Sequence, residues 1–212
     1  MNNYPVCSPH QFESLGRAWL YSLRLILENG TLAMDAHEEL REVCNLYLVI
    51  DAVDPSDPII KEFADQDRIS LMLHKYLSCD VLPQYKISYG KLLYDNQGVN
   101  QVDWVIERLR AKPETKSATI GLHQPGQSEL SCLSLLDFKL RAGALSITAV
   151  YRSQNVFASQ PGNVLAIRQV QEHVADALSV PSGPFHLVVM SGHIYGHDED
   201  RARLVVEKAP ED

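Results

Sequence analysis

Cysteine, positive charge and long apolar runs are all scarce in this sequence of 212 residues. The cysteines are far apart and form no Cys-x-x-Cys pair; they are Cys7, Cys44, Cys79 and Cys132. This spacing excludes a disulfide framework and a zinc knuckle, so we expect a reduced, cytoplasmic protein. No apolar run approaches the roughly 20 residues that span a bilayer, and the first residues lack the features of a secretory signal. We therefore expect no membrane partner.

The charge balance argues against a nucleic-acid partner. The chain carries 19 Lys and Arg against 27 Asp and Glu, which gives a formal net charge of −8. A polyanion would be repelled by this charge, whereas a small anion can still bind in a local basic pocket. With 45% hydrophobic and 22% charged residues, the composition is globular. The length predicts one domain that spans residues 1–212.

Hydrophobic periodicity changes along the chain. Apolar residues at helical spacing, after a capping box that begins at Ser8, predict a first helix that ends near Gly30. A polar segment at 36–42 favours a short helix. The runs 132–140 and 145–152 are typical of paired strands, and residues 159–163 predict a turn that leads into another helix. This mixture predicts an α+β fold, with helices packed on a mostly antiparallel or mixed sheet.

The predicted hairpin brings a cysteine and an arginine together. Symmetric pairing about Ala142 places Cys132 opposite Arg152, with Cβ atoms about 4.5–5.5 Å apart. A guanidinium beside a thiol favours the nucleophilic thiolate, and the adjacent Ser153 would complete an anion site. The same residues are equally compatible with a buried small cysteine and a solvated arginine. A register shift of one residue would turn Arg152 to the other face of the sheet.

Short polar motifs follow one another in the second half of the chain. Cys132 and the pair Arg152-Ser153 are followed by a Pro-x-Asn segment that ends at Asn163, and then by the His-x-Tyr segment His193 to Tyr195. Their order and spacing resemble those of the thymidylate synthase family, including its pyrimidine nucleotide hydroxymethylases. Upstream, Tyr89-Gly90-Lys91 also resembles a family motif. The sequence is identified as a divergent, short member of this family.

The resemblance implies covalent chemistry on a pyrimidine nucleoside monophosphate. The family transfers a one-carbon unit from 5,10-methylenetetrahydrofolate to carbon 5 of the base. Addition of a thiolate at carbon 6 makes carbon 5 nucleophilic, and Cys132 is the implied nucleophile. Arg152 and Ser153 are then expected to bind the 5′-phosphate. Asn163 is expected to pair with the edge of the base.

The resemblance also implies roles for residues outside the hairpin. His193 and Tyr195 would hold a ribose hydroxyl. Lys116 would contribute to a phosphate site across a homodimer. Asn155 stands where the family has an aspartate that contacts the folate. Glu62, in an Ile-Ile-x-Glu segment, is the best counterpart of the catalytic glutamate.

Departures from the family pattern leave the final step open. Leu133 replaces the histidine that normally follows the nucleophile, and Gly162 replaces an aromatic residue. The family's N-terminal phosphate-binding loop is missing, and residues 35–37 stand near its place. Methylation of dUMP is the family default, and hydroxymethylation of CMP, dCMP or UMP is the alternative. A nucleotide-binding homologue without folate-dependent catalysis, or a folate-independent exchange enzyme, also fits these departures. No metal is expected, since His193 and His197 lack a third ligand.

Overall fold

The fold is known from a computed structural model, which describes residues 9–83, 88–123, 126 and 130–210. Within these residues the strands are β1 (His10–Ser14), β2 (Thr31–Asp35), β3 (Glu38–Ala52), β4 (Thr119–Gly121), β5 (Leu133–Arg141), β6 (Ala144–Tyr151), β7 (Gln154–Asn155) and β8 (Ser182–Tyr195). The helices are α1 (Leu15–Asn29), α2 (Pro58–Phe63), α3 (Gln66–Leu77), α4 (Tyr89–Tyr94), α5 (Gln101–Ala111), α6 (Val156–Leu178) and α7 (Gly196–Lys208). In this described part of the chain, no helix has both the length and the apolar character needed to span a bilayer.

The strands form one mixed sheet. Its order is β1-β3-β8-β6-β5-β4, with β2 paired to β3 and β7 paired to β8. The pairs β1–β3, β6–β8 and β7–β8 are parallel, and the remaining pairs are antiparallel. The predicted α+β fold with helices on a mixed sheet is therefore confirmed.

Helices α1 and α6 form the centre of the core. Both pack against the sheet and against each other. Trp19 of α1 is fully buried and donates its indole N–H to the carbonyl of Val156, at 2.9 Å. In α6, Val164, Ile167 and Val170 are fully buried, and each contributes about 1.5–3 kcal/mol relative to an exposed side chain. This packing fixes α6 next to the ends of β6 and β8, where the polar motifs lie.

The N-terminal predictions require two corrections. Ser8 lies outside the described residues, and His10–Ser14 is strand β1 instead of the first turns of a helix. Helix α1 begins at Leu15, because the side chain of Ser14 caps it by accepting the backbone N–H of Arg17. The helix predicted at 36–42 is also wrong: β2 and β3 form an antiparallel hairpin here.

The central hairpin differs from the prediction and still reaches the predicted contact. The turn residues Ala142 and Gly143 both have positive φ, and Arg141 pairs with Ala144 across this turn. The pairing therefore differs by one residue from the predicted register, which is symmetric about Ala142. A register shift between Leu133 and Leu135 then moves the pairing by one residue. As a result, the backbone N–H of Arg152 donates to the carbonyl of Cys132 at 2.9 Å.

Helix α6 begins earlier than the sequence predicts. Its N-cap is Asn155, and Pro161 lies inside the helix, so the predicted turn at 159–163 is wrong. Gly162 lies directly against α3: a Cβ there would lie 2.9 Å from the Cβ of Met72 and 3.1 Å from the Cα of Ile69. The aromatic residue that the family pattern has at this position would collide with α3. The glycine therefore lets α3 pack directly beside Asn163.

Candidate active site

A cavity of about 530 Å³ opens where the ends of the central strands meet α3 and α6. Its volume lies within the range of about 300–1,000 Å³ that is typical of small-molecule sites. The residues predicted from the sequence that line it are Cys132, Arg152, Ser153, Asn155, Asn163, His193 and Tyr195. The fold thus brings together side chains that are up to 63 residues apart in the sequence.

Arg152 lies directly beside Cys132. Its Nη2 is 4.0 Å from the Sγ of Cys132, which is half-buried. The same guanidinium donates to the carbonyls of Ser131 and Leu130, at 3.1 and 2.8 Å. These carbonyl contacts hold the head group in place, so its positive charge stays near the sulfur. A cation in this position stabilises negative charge that develops on the sulfur.

A cluster of tyrosines supports the segment that carries Cys132. Tyr89 lines the cavity close to the backbone of Cys132 and Leu133, and it stacks on Tyr76 with ring centroids 4.3 Å apart. The hydroxyls of Tyr76 and Tyr151 are 2.5 Å apart. Burial raises the pKa of all three phenols above the ordinary value, so they stay protonated at neutral pH. Tyr89 is therefore a neutral support for the backbone beside the thiol.

Asn163 and His193 are buried with unsatisfied polar atoms. They are 6% and 5% exposed, and within the described residues the Oδ1 of Asn163 and the Nδ1 of His193 have no hydrogen-bond partner. Burial lowers the pKa of His193, an effect that outweighs nearby Glu42 and Asp35, so the ring is neutral at pH 7. Each such atom costs about 1–3 kcal/mol unless it is satisfied. Their position in a cavity makes them candidate contacts for a ligand.

Tyr195 contacts a carboxylate that sequence reasoning did not assign to the site. Its hydroxyl donates to the Oδ2 of Asp35 at 3.0 Å, and Asp35 also lines the cavity. Burial, followed by the hydrogen bond from this phenol to Asp35, raises the pKa of Tyr195 to about 12. The only signal in the sequence was the position of 35–37 near the family's phosphate-binding loop.

Helix α3 adds a cationic wall to the cavity. Arg68, Met72 and Lys75 recur at helical spacing on one face of α3 and all line the cavity. Arg68 donates to the hydroxyl of Ser159 at 3.2 Å. Lys75 is 9% exposed, with its ammonium 5.4 Å from the ring centroid of Tyr89. Sequence reasoning missed this wall, although two cations on an otherwise apolar helix face were a usable signal.

Other predicted residues lie outside the cavity or have a second role. Glu62 is exposed on α2, because burial of Ile59 and Ile60 turns the opposite face of this short helix to solvent. Lys116 is exposed in the segment between α5 and β4. Neither residue lines the cavity. Asn155 does line it, while its side chain caps α6 by accepting the backbone N–H of Ala158 at 3.0 Å.

Lys75 should make stability depend on pH. Desolvation, followed by repulsion from Arg68, lowers the pKa of Lys75, and Cys132 offsets this in part. At pH values between the pKa of Lys75 in the folded state and its pKa in the unfolded state, the folded protein binds fewer protons than the unfolded chain. The free energy of unfolding of the wild type therefore increases as pH rises through this range. We expect Lys75→Met to be more stable than wild type at pH 7, and we expect its free energy of unfolding to lack this increase with pH. Urea unfolding at pH values from 7 to 10 measures the free energy of unfolding of both proteins.

The exposed Lys112→Met is the matched control for this prediction. It should follow the wild-type pH profile throughout. Destabilisation of the Lys75→Met variant at pH 7, with an unchanged pH profile, would contradict the assignment of a buried, partly desolvated ammonium.

Taken together, these groups have the chemical character needed for covalent chemistry on a polar ring that carries an anionic group. The thiol is beside a fixed guanidinium, and unsatisfied amide and imidazole groups face the same cavity. The thymidylate synthase profile matches residues 59–212, a segment that contains every predicted site residue. The chain belongs to the thymidylate synthase family.

Relatives from methanogenic archaea match most of the chain. A protein named "Putative thymidylate synthase" from Methanosarcina barkeri is 29% identical over 203 residues, which cover 92% of this chain and 93% of that protein. Proteins of the same name from Methanosarcina acetivorans and Methanothermobacter marburgensis are 28% and 27% identical, with 93% and 96% of their lengths covered. These matches extend the similarity upstream of residue 59.

Proposed function

We propose that this protein transfers a one-carbon unit to carbon 5 of a pyrimidine nucleotide through a covalent adduct between Cys132 and carbon 6. The observation that carries the proposal is the 4.0 Å approach of Arg152 to the thiol, inside a cavity with unsatisfied buried polar groups. Family membership supports this reaction class, a one-carbon transferase acting on a pyrimidine nucleotide.

In the proposed first step, the Cys132 thiolate attacks carbon 6 and forms a carbon–sulfur bond. The electron pair of the ring double bond moves toward carbon 5 and the oxygen at carbon 4. The Asn163 amide would pair with this edge of the base, where negative charge develops. Arg152 and Ser153 would bind the 5′-phosphate. Carbon 5 would then bond the one-carbon unit and lose its proton, and the bond between that unit and the folate nitrogen would break. A hydride from the folate would complete a methyl group, or a water molecule would complete a hydroxymethyl group. Elimination would restore the double bond between carbons 5 and 6 and release the thiolate.

The proposal includes a pterin-type one-carbon donor in the same cavity. When bound in the cavity, 5,10-methylenetetrahydrofolate would supply the one-carbon unit. Gln154 lines the cavity at 2% exposure, and its Nε2 has no partner within the described residues. With Asn155, it offers amide groups suited to the polar edge of a pterin, and Met72 offers an apolar surface. These residues would orient the donor and hold it beside carbon 5.

Methylation of dUMP is the family default, and one observation favours hydroxymethylation as a second candidate. Arg68 and Lys75 provide a charged wall in the cavity. Charged side chains retain water, whereas hydride transfer is favoured in a site that excludes it. Water as the final nucleophile would yield a hydroxymethyl product. This second candidate uses the same Cys132 addition.

A homodimer is part of the proposal. Leu135, Val150 and Val188 lie on neighbouring strands of the sheet and are half-buried, although they alternate with fully buried core residues. A half-covered apolar sheet face fits pairing with a second copy. In such a dimer the exposed Lys116 would bind the phosphate across the interface.

Product analysis tests the proposed reaction. Purified protein is incubated with methylenetetrahydrofolate and, separately, with dUMP, dCMP, UMP or CMP, each tritiated at carbon 5. We expect tritium release with at least one nucleotide and a product whose mass shows an added methyl or hydroxymethyl group. Release without folate would favour folate-independent exchange. Nucleotide binding without release under any condition would support the binding homologue and contradict the proposal.

A further inference from the structure

The cavity corner formed by Asp35, His193 and Tyr195 has more hydrogen-bond acceptors than donors. Tyr195 already donates its only hydroxyl proton to the Oδ2 of Asp35, at 3.0 Å. A carboxylate offers about four acceptor sites on its two oxygens, so this bond leaves capacity for more donors. His193 is neutral, which makes one ring nitrogen an acceptor. A ligand that fits this corner must therefore supply several donors.

The hairpin of β2 and β3 fixes Asp35 at this corner. Asp35 pairs with Glu38 across the turn, in which Ala36 has a φ of 54°. Farther along β3, Leu40 pairs with Tyr195 at the end of β8. The carboxylate is thus held beside β8 by continuous strand pairing.

Among the described residues, the cavity is lined by one carboxylate, that of Asp35, and by three cationic side chains, those of Arg68, Lys75 and Arg152. Asp35 would repel a phosphate, whereas Arg152 with the hydroxyl of Ser153 would attract one. The 5′-phosphate therefore belongs near Arg152, and the hydroxyl face of the sugar belongs near Asp35. Because the edge of the base is proposed to pair with Asn163, the sugar hydroxyls are the donors that remain for Asp35.

We propose that Asp35, His193 and Tyr195 bind the 2′ and 3′ hydroxyls of a ribose, so that the substrate is a pyrimidine ribonucleotide. This inference rests on the proposed function and narrows its substrate class. Two neighbouring hydroxyls supply two donors, and acidic side chains recognise ribose hydroxyls in this way in dinucleotide sites. A deoxyribose supplies one donor and leaves an acceptor of the corner without its partner. Because Asp35 is exposed, water compensates in part, and we expect a preference for ribose of about tenfold.

Calorimetric binding of UMP, dUMP, CMP and dCMP tests this inference without requiring turnover. For each base that binds, wild-type protein should bind the ribonucleotide about tenfold more tightly than the deoxyribonucleotide. In Asp35→Ala the two affinities should differ by less than about twofold, mainly because ribonucleotide affinity falls. Asp35→Asn, which keeps one acceptor, should give an intermediate ratio.

Glu38→Gln is the matched control, since Glu38 lies across the same turn, contacts His197 and does not line the cavity. This variant should keep the wild-type ratio. Equal or tighter binding of deoxyribonucleotides by wild type, or an unchanged preference in Asp35→Ala, would overturn the ribose inference and leave the proposed reaction standing. Failure of wild type to bind any of the four nucleotides would instead contradict the proposed function, and the inference with it.

Discussion

Cys132→Ser is expected to lower turnover by about four orders of magnitude or more while nucleotide affinity changes little. The serine hydroxyl is nearly isosteric with the thiol, but it is a far weaker nucleophile at neutral pH. Among the described residues that line the cavity, no other is a cysteine. Loss of the carbon–sulfur bond removes the route that makes carbon 5 reactive, so the effect falls on kcat. Steady-state kinetics and calorimetric binding measure the two quantities separately.

A mechanism-based ligand provides a second measurement for the same variant. With a 5-fluoropyrimidine nucleotide and folate, wild-type protein should gain the mass of a covalent adduct, and Cys132→Ser should gain none. Cys44→Ser is the matched control, because Cys44 is a free, exposed cysteine on β3 outside the cavity. It should form the adduct as wild type does. An adduct on Cys132→Ser would place the nucleophile elsewhere.

The contact between Cys132 and Arg152 could be predicted from sequence, although the register that produces it could not. Alternation of apolar residues marks both strands, and the two positions lie at comparable distances from the turn. The actual turn shifts most pairs by one residue, and a bulge near Leu133 shifts the pairing back. A bulge depends on local backbone geometry that side-chain periodicity does not encode. The correct contact was thus reached through a partly incorrect register.

Asn163 shows why a local signal can mislead. A Pro-Gly-Asn sequence is typical of a turn with an N-cap, and that interpretation gives the asparagine a purely structural role. The structure places all three residues inside α6, where Pro161 falls early in the helix and Asn155 acts as the cap. Tertiary packing overrides the turn signal because Gly162 fits closely against α3. Only the fold shows that Asn163 is buried and that its Oδ1 has no partner among the residues the structure describes.

Sequence reasoning did not assign the cationic face of α3 or the carboxylate of Asp35 to the site, for a different reason. Both belong to the first half of the chain, where the motifs of the family are weak. Their approach to the cavity depends on non-local contacts, α3 with α6 and β3 with β8. Such contacts leave no spacing pattern between the residues that meet. Glu62, in contrast, matched a short motif, but the fold turns it to solvent.

Arg152→Ala is expected to lower kcat/KM by about a thousandfold, which corresponds to about 4 kcal/mol. The guanidinium has two proposed roles, stabilisation of the thiolate and binding of the phosphate. A charge-assisted hydrogen bond contributes about 1.5–3 kcal/mol, so losing both roles accounts for an effect of this size. Arg152→Lys keeps the charge but loses the planar fork that contacts Ser131 and Leu130. We expect it to retain an intermediate activity.

Two measurements separate the roles of Arg152. The rate of Cys132 alkylation by iodoacetamide, without nucleotide, reports the thiolate, and it should fall in Arg152→Ala more than in Arg152→Lys. The ratio of the affinity for a nucleoside monophosphate to that for its nucleoside reports phosphate binding, and this ratio should fall in Arg152→Ala. Arg110→Ala is the control, since Arg110 is an exposed arginine that also donates to a carbonyl, that of Ala177 at 2.8 Å. Unchanged alkylation and an unchanged phosphate preference in Arg152→Ala would show that the 4.0 Å contact with the thiol has no part in the chemistry.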